Sequence, residues 1–153
     1  MAKYILPSNL LAGGDNPILH AQAGYCRPIK GLEDEEAICA YIPLLPKGAS
    51  EEEKELAGYA TAHELGHLEM GFEDPDRFFL QEFQADLWTL AKRRKVDKYF
   101  LQHLTQRFQQ ASESLGQDGA LEVLEEAYSN VASRVPISVS LGKIKRVLKG
   151  EIS

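Results

Sequence analysis

The segment from Ser50 to Gly71 constrains this chain more than any other, because it holds both the start and the stop of one helix and a row of reactive side chains between them. Ser50 followed by Glu53 is a capping box, in which each side chain satisfies a backbone N–H at the other's position. Glu51, Glu52 and Glu53 put negative charge in the first turn, where the helix dipole favours it. Gly71 is a natural C-cap. A helix over about residues 51–70 follows. Inside it runs His63-Glu64-Leu65-Gly66-His67. Residues three and four apart on a helix are neighbours, so His63, Glu64 and His67 can converge on one spot.

The flanking sequence organises around that helix. The first thirty residues are rich in Gly, Pro and Asn, with Gly13-Gly14-Asp15-Asn16-Pro17 a turn signal and Ile18 to His20 at best a short strand. Ala37-Ile38-Cys39-Ala40-Tyr41-Ile42 is a better strand, ended by Pro43 and Pro46. After Gly71, Asp74 as N-cap and Pro75 at the first helical position start a second helix towards Arg94. Phe79, Phe83, Leu87 and Leu90 repeat along it at three or four positions. Asp97 caps a third helix carrying Phe100, Leu101, Leu104 and Phe108, which Gly116 stops. A fourth runs from Gly119 to Arg134 with Leu121, Leu124 and Tyr128. The stretch from Ile137 to Lys149 reads equally as a strand or a short basic helix. The expected fold class is α+β, a small N-terminal sheet followed by a helical bundle.

Size and composition bound the rest. At 153 residues the chain is most simply one domain, 1–153, with a core over about 36–115 and a basic tail over 135–153. It is 44% hydrophobic and 26% charged, the balance of an ordinary globular protein. No apolar run reaches the roughly 20 residues of a membrane span, and the N-terminus does not read as a secretory signal. With only Cys26 and Cys39, a secreted disulfide scaffold is not indicated, and the cytoplasm is the expected compartment. The net charge of −6 argues against a general nucleic-acid binder. That charge is uneven: eight acids and two lysines lie between Glu33 and Glu55, whereas Lys92-Arg93-Arg94-Lys95 and Lys143, Lys145, Arg146 and Lys149 are basic. Basic clusters of this kind are more often solvated helix ends than docking sites.

Two imidazoles do not complete a catalytic zinc site, which takes three protein ligands and leaves a position open for water. The second helix offers the third. Glu82 and Asp86 are one turn apart, close to the Phe79, Phe83 and Leu90 side, where an unpaired carboxylate is costly. The economical assignment makes Glu82 the third ligand, with Asp86 accepting a hydrogen bond from a ligand imidazole. An antiparallel helix pair joined through residues 71–74 would bring these faces together. The plain alternative is a pair of partly buried histidines packing the first helix and two solvated helix charges on the second.

His63-Glu64-Leu65-Gly66-His67 with Gln81-Glu82-x-x-Ala85-Asp86 resembles the gluzincin metallopeptidases, most closely the compact ImmA/IrrE-type domains. The likeness covers about residues 36–91. It implies a zincin-like metallopeptidase domain that binds Zn2+ through His63, His67 and Glu82. It further implies that Glu64 activates water and that Asp86 supports a ligand histidine. By the same likeness, the strand at 37–42 corresponds to an edge strand along which an extended peptide lies. The family often continues with aliphatics and another histidine, where this chain has Glu69-Met70-Gly71, and no repressor-like helix-turn-helix is evident.

The chemistry so implied is zinc-dependent peptide-bond hydrolysis with Glu64 as general base. Its substrate would be a protein or peptide, a regulatory protein by the resemblance, cleaved with narrow specificity as by an endopeptidase. The oxyanion needs a second electrophile besides the metal. His103, Tyr99 and Tyr128 are the candidates, His103 reading equally as a core-edge histidine, and Tyr59 packs beneath the site. Hydrolysis of another amide is a second reading, and a catalytically silent zinc-containing protein-binding module a third. Substrate identity and oligomeric state stay open.

Overall fold

The local signals around Ser50 act as the sequence requires. In a computed structural model, Glu53 N donates to Ser50 Oγ at 3.1 Å and Ser50 N donates to Glu53 Oε1 at 3.2 Å, which completes the capping box. Helix α1 then spans Glu51–Met70, and the Gly71 N–H closes it on the His67 carbonyl at 2.8 Å. The structure describes residues 2–7, 22–26, 37–71 and 74–151. They fall into two compact units, Met1–Phe72 and Glu73–Ser153. The segment Ile18 to His20 lies outside the described residues.

In the first unit three strands precede α1: β1 Ala2–Pro7, β2 Gln22–Cys26 and β3 Ala37–Ile42. Their order is β1-β3-β2. β1 runs parallel to β3 with Ala2 opposite Ala37, and β2 runs antiparallel to it with Gln22 opposite Tyr41. The 37–42 strand is therefore the middle of the sheet. The expectation that it forms an edge for an extended peptide is corrected, because both of its backbone edges are already hydrogen-bonded. Helix α1 packs on β3, where buried Ala40 and Leu68 form a small apolar cluster with Leu65. Those contacts fix the rotation of α1 about its axis.

The second unit is helical. Asp74 Oδ1 accepts from Asp76 N at 3.0 Å, and the first turn, Pro75–Arg77, is a 3-10 turn before α2 Phe78–Arg93 begins. Phe83, Leu87 and Leu90 are buried on α2, as their spacing predicts. α2 ends at Arg94 in the left-handed conformation (φ 54). Arg93 pairs with Asp97 at 2.9 Å, and Asp97 caps α3 Lys98–Ala132 by accepting from Phe100 N at 3.0 Å. The third and fourth helices of the sequence reading are the two halves of α3, broken at Gly116 (φ 79, ψ 161) but resuming at once. Phe100, Leu104 and Phe108 line its first half and Leu124, Ala127 and Val131 its second, all buried. Asn130 Nδ2 donates to Gln84 Oε1 at 2.7 Å, joining the second half to α2. The chain's closing stretch is α4 Leu141–Leu148, capped by Ser140 and packed on α3 through buried Ile144. Part of the tail's positive charge is paired within the unit, since Lys145 meets Glu125.

The architecture is thus α+β, with the strands ahead of the helices. Among the described residues, no helix is long and apolar enough to cross a membrane.

Two substitutions test these local causes. Ser50→Ala removes the cap and should cost about 1 kcal/mol, read as a fall in chemical-denaturation midpoint. At Gly116 an added Cβ meets nothing within 4 Å, so only backbone strain is at issue. Gly116→Ala should destabilise by about 1–3 kcal/mol, because that φ/ψ region is essentially glycine's alone. A neutral result would mean the bend relaxes without cost.

Candidate metal centre

His63 and His67 occupy the last two turns of α1 and are 6% and 7% exposed. Their rings meet edge-on, centroids 4.8 Å apart and planes at 89°. Tyr59, one turn earlier and wholly buried, stacks on His63 with centroids 6.3 Å apart at 27°. It packs beneath the histidines, as the sequence suggests. Leu65 and Leu68 point α1 at the sheet, while Glu64, between the histidines, is half-buried. The helix therefore buries two imidazoles with only Ala57, Tyr59, Gly66 and Leu68 as its other buried residues. Imidazoles at that depth need polar partners or a metal.

On α2 the predicted helix phase holds. The Glu82 side chain is 15% exposed, and Asp86, one turn later, is fully buried. Neither is a solvated surface charge. α2 is buried nearly all round from Gln81 to Ala91, so a carboxylate there is kept from water and charged only at a cost that a cation offsets.

His63, His67 and Glu82 each offer one ligand atom, and these atoms lie within 4.8 Å of one another. Two imidazoles and a carboxylate are a donor set that zinc takes in hydrolases. Bonds of about 2.1 Å at tetrahedral angles space donors about 3.4 Å apart, which falls inside that limit. The donor chemistry fits a metal ion.

The remaining candidates fall in different places. Asp86 is one turn from Glu82 and deep in the protein. His103 is exposed on α3, not packed at the core edge. Tyr99 is buried, with the Lys98 ammonium 5.1 Å from its ring centroid. The Tyr128 hydroxyl donates to the Val139 carbonyl at 2.8 Å, tying α3 to the segment before α4, and would have to release that bond to serve an oxyanion. One charged residue escaped the sequence reading. Arg107 on α3 sets its guanidinium 3.6 Å from Glu82 Oε2. The available signal was weak: a long cation beside Leu104 and Phe108, at the edge of a buried stripe.

No family model matches this chain. No curated protein and no solved structure matches it either.

A metal held by this group should stabilise the fold. Zinc at a hundredfold excess over its Kd should add about 2.7 kcal/mol, seen as a rise in melting temperature of the metal-free protein. His63→Ala and His67→Ala should each abolish most of that rise. An undiminished rise in both would place the metal elsewhere.

Proposed function

We propose that this protein is a zinc-dependent metallopeptidase of the gluzincin type, a narrow-specificity endopeptidase acting on a protein substrate. The observation that carries the reading is the convergence of His63, His67 and Glu82 within ligand distance. The position of Glu64 supports it, since a carboxylate on the same helix beside both histidines is not needed as a ligand. A purely structural zinc site has no use for it and normally closes all four positions with protein ligands.

Zinc in such a His/His/Glu set supplies Lewis acidity towards a water molecule and a peptide carbonyl. The chain's own residues do the rest. Glu64 holds a carboxylate beside the ligand pair, takes the proton of the attacking water and delivers it to the leaving amine. Asp86, fully buried one turn from Glu82, keeps a ligand imidazole in one tautomer and orientation. Tyr59 stacks on His63 and fixes the plane of that ring. Leu65 and Leu68, seated against Ala40, hold the helix in the rotation that presents the histidines. Because β3 is paired on both sides, the substrate is not held by adding a strand to it.

The discriminating variant is Glu64→Gln, which keeps shape and removes the base. It should retain stoichiometric zinc and lose hydrolysis of a susceptible protein by 10²-fold or more, the usual contribution of a positioned general base. Unchanged turnover would remove Glu64 from the mechanism. Zinc retention with no peptidase activity in the native chain, across a broad library of peptides and proteins, would favour a silent zinc-containing module.

A further inference from the structure

We infer that Arg107 is a positioning residue for Glu82, holding one oxygen of that carboxylate so that the other is presented to a metal ion. This rests on the reading of Glu82 as a ligand. The guanidinium Nη2 lies 3.6 Å from Glu82 Oε2, an ion pair just beyond hydrogen-bond length. Both side chains are largely withdrawn from water, 21% and 15% exposed, so the pair is screened less than a surface one.

Arg107 is itself held from two other directions. Its guanidinium carbon lies 5.1 Å from the centroid of Phe78, which is one turn before Glu82 on α2. Its Nη1 donates to Gln110 Oε1 at 3.1 Å, within its own helix. The cation is therefore in place before any metal arrives, braced by an aromatic face and an amide. A glutamate side chain has several rotatable bonds, and an ion must otherwise freeze them on binding. With Oε2 already directed at Arg107, that ordering is done in advance, and one oxygen remains for single-point ligation. Ligating carboxylates are commonly supported in this way, and removing the support typically lowers metal affinity ten- to a hundredfold.

An opposing effect exists. A fixed cation repels a divalent ion and competes with it for the same carboxylate. The guanidinium charge is delocalised, its contact with Glu82 is longer than a direct hydrogen bond, and Gln110 and Phe78 share it. Ordering thus outweighs competition, so removing the guanidinium should weaken zinc binding rather than tighten it.

The test is zinc affinity, measured on the full chain by competition with a chromophoric chelator, for wild type, Arg107→Gln, Arg107→Lys and Glu82→Ala. Arg107→Gln should bind zinc at least tenfold more weakly than wild type. Arg107→Lys, which restores the charge without the planar fork, should recover part of the loss. The metal-free melting temperatures of the two arginine variants should agree within a few degrees, separating a ligand effect from a folding effect. If Arg107→Gln fails to fold, the lysine variant alone still reads the inference through a several-fold loss of affinity. Arg107→Gln binding as tightly as wild type, or more tightly, would overturn the inference while leaving Glu82 a ligand. Undiminished affinity in Glu82→Ala would instead overturn the ligand assignment and Arg107's role with it.

Discussion

Burying two imidazoles on the inward face of one helix is the constraint on which the rest of the structure depends. A helix that turned Leu, Ile or Phe inward at those positions would gain stability from apolar burial alone. Here α1 turns in His63 and His67, with Tyr59 stacked on the first and Gly66 between the two. Leu65 and Leu68 anchor it against Ala40. Polar groups so placed are tolerated when something binds them, and a positively charged ion held jointly with an acid satisfies both nitrogen and oxygen donors. The capping box and glycine cap that bound α1 then matter beyond helix length, since they stop the histidine turns from fraying.

The helical unit meets a related requirement from the acidic side. α2 keeps Glu82 and Asp86 from water, which neither would tolerate as an unaccompanied charge. Its own frame is fixed by contacts with α3, Asn130 to Gln84 and Arg107 to Glu82, and by Arg77 to Glu126 in the turn just before it. These bonds come from both halves of α3, on either side of the bend at Gly116. The carboxylates are thus carried on a regular element braced at several points along its length. Precise metal sites depend on that kind of support.

The parts of this arrangement legible in the sequence are those whose causes are local. Ser50, Glu53 and Gly71 specify α1 to the residue because caps act within one turn. The burial of Glu82 and Asp86 was readable because Phe83, Leu87 and Leu90 fix the phase of α2. What escaped was set at a distance. β1 and β2 are short, the one ending in Pro7 and the other centred on Gly24, in a stretch rich in turn residues. The edge position expected of β3 came from the resemblance alone, and it is the pairing with β1 and β2 that sets it in the middle. Gly116 was correctly marked as a break with helix on both sides, but spacing alone did not show that the second helix resumes at once. Arg107 lies a helix away from Glu82, and no pattern in either segment announces their pairing. The chemistry-bearing helix was therefore visible from one dimension, and its bracing was not.

The central claim is that His63, His67 and Glu82 together hold one ion, and anomalous scattering at the zinc absorption edge from zinc-soaked crystals tests it most directly. The account predicts one strong peak per chain, bonded to a nitrogen of each histidine and a carboxylate oxygen of Glu82, with a position left open to solvent. A peak coordinated without Glu82, or no peak at this group while zinc binds elsewhere on the chain, would contradict it.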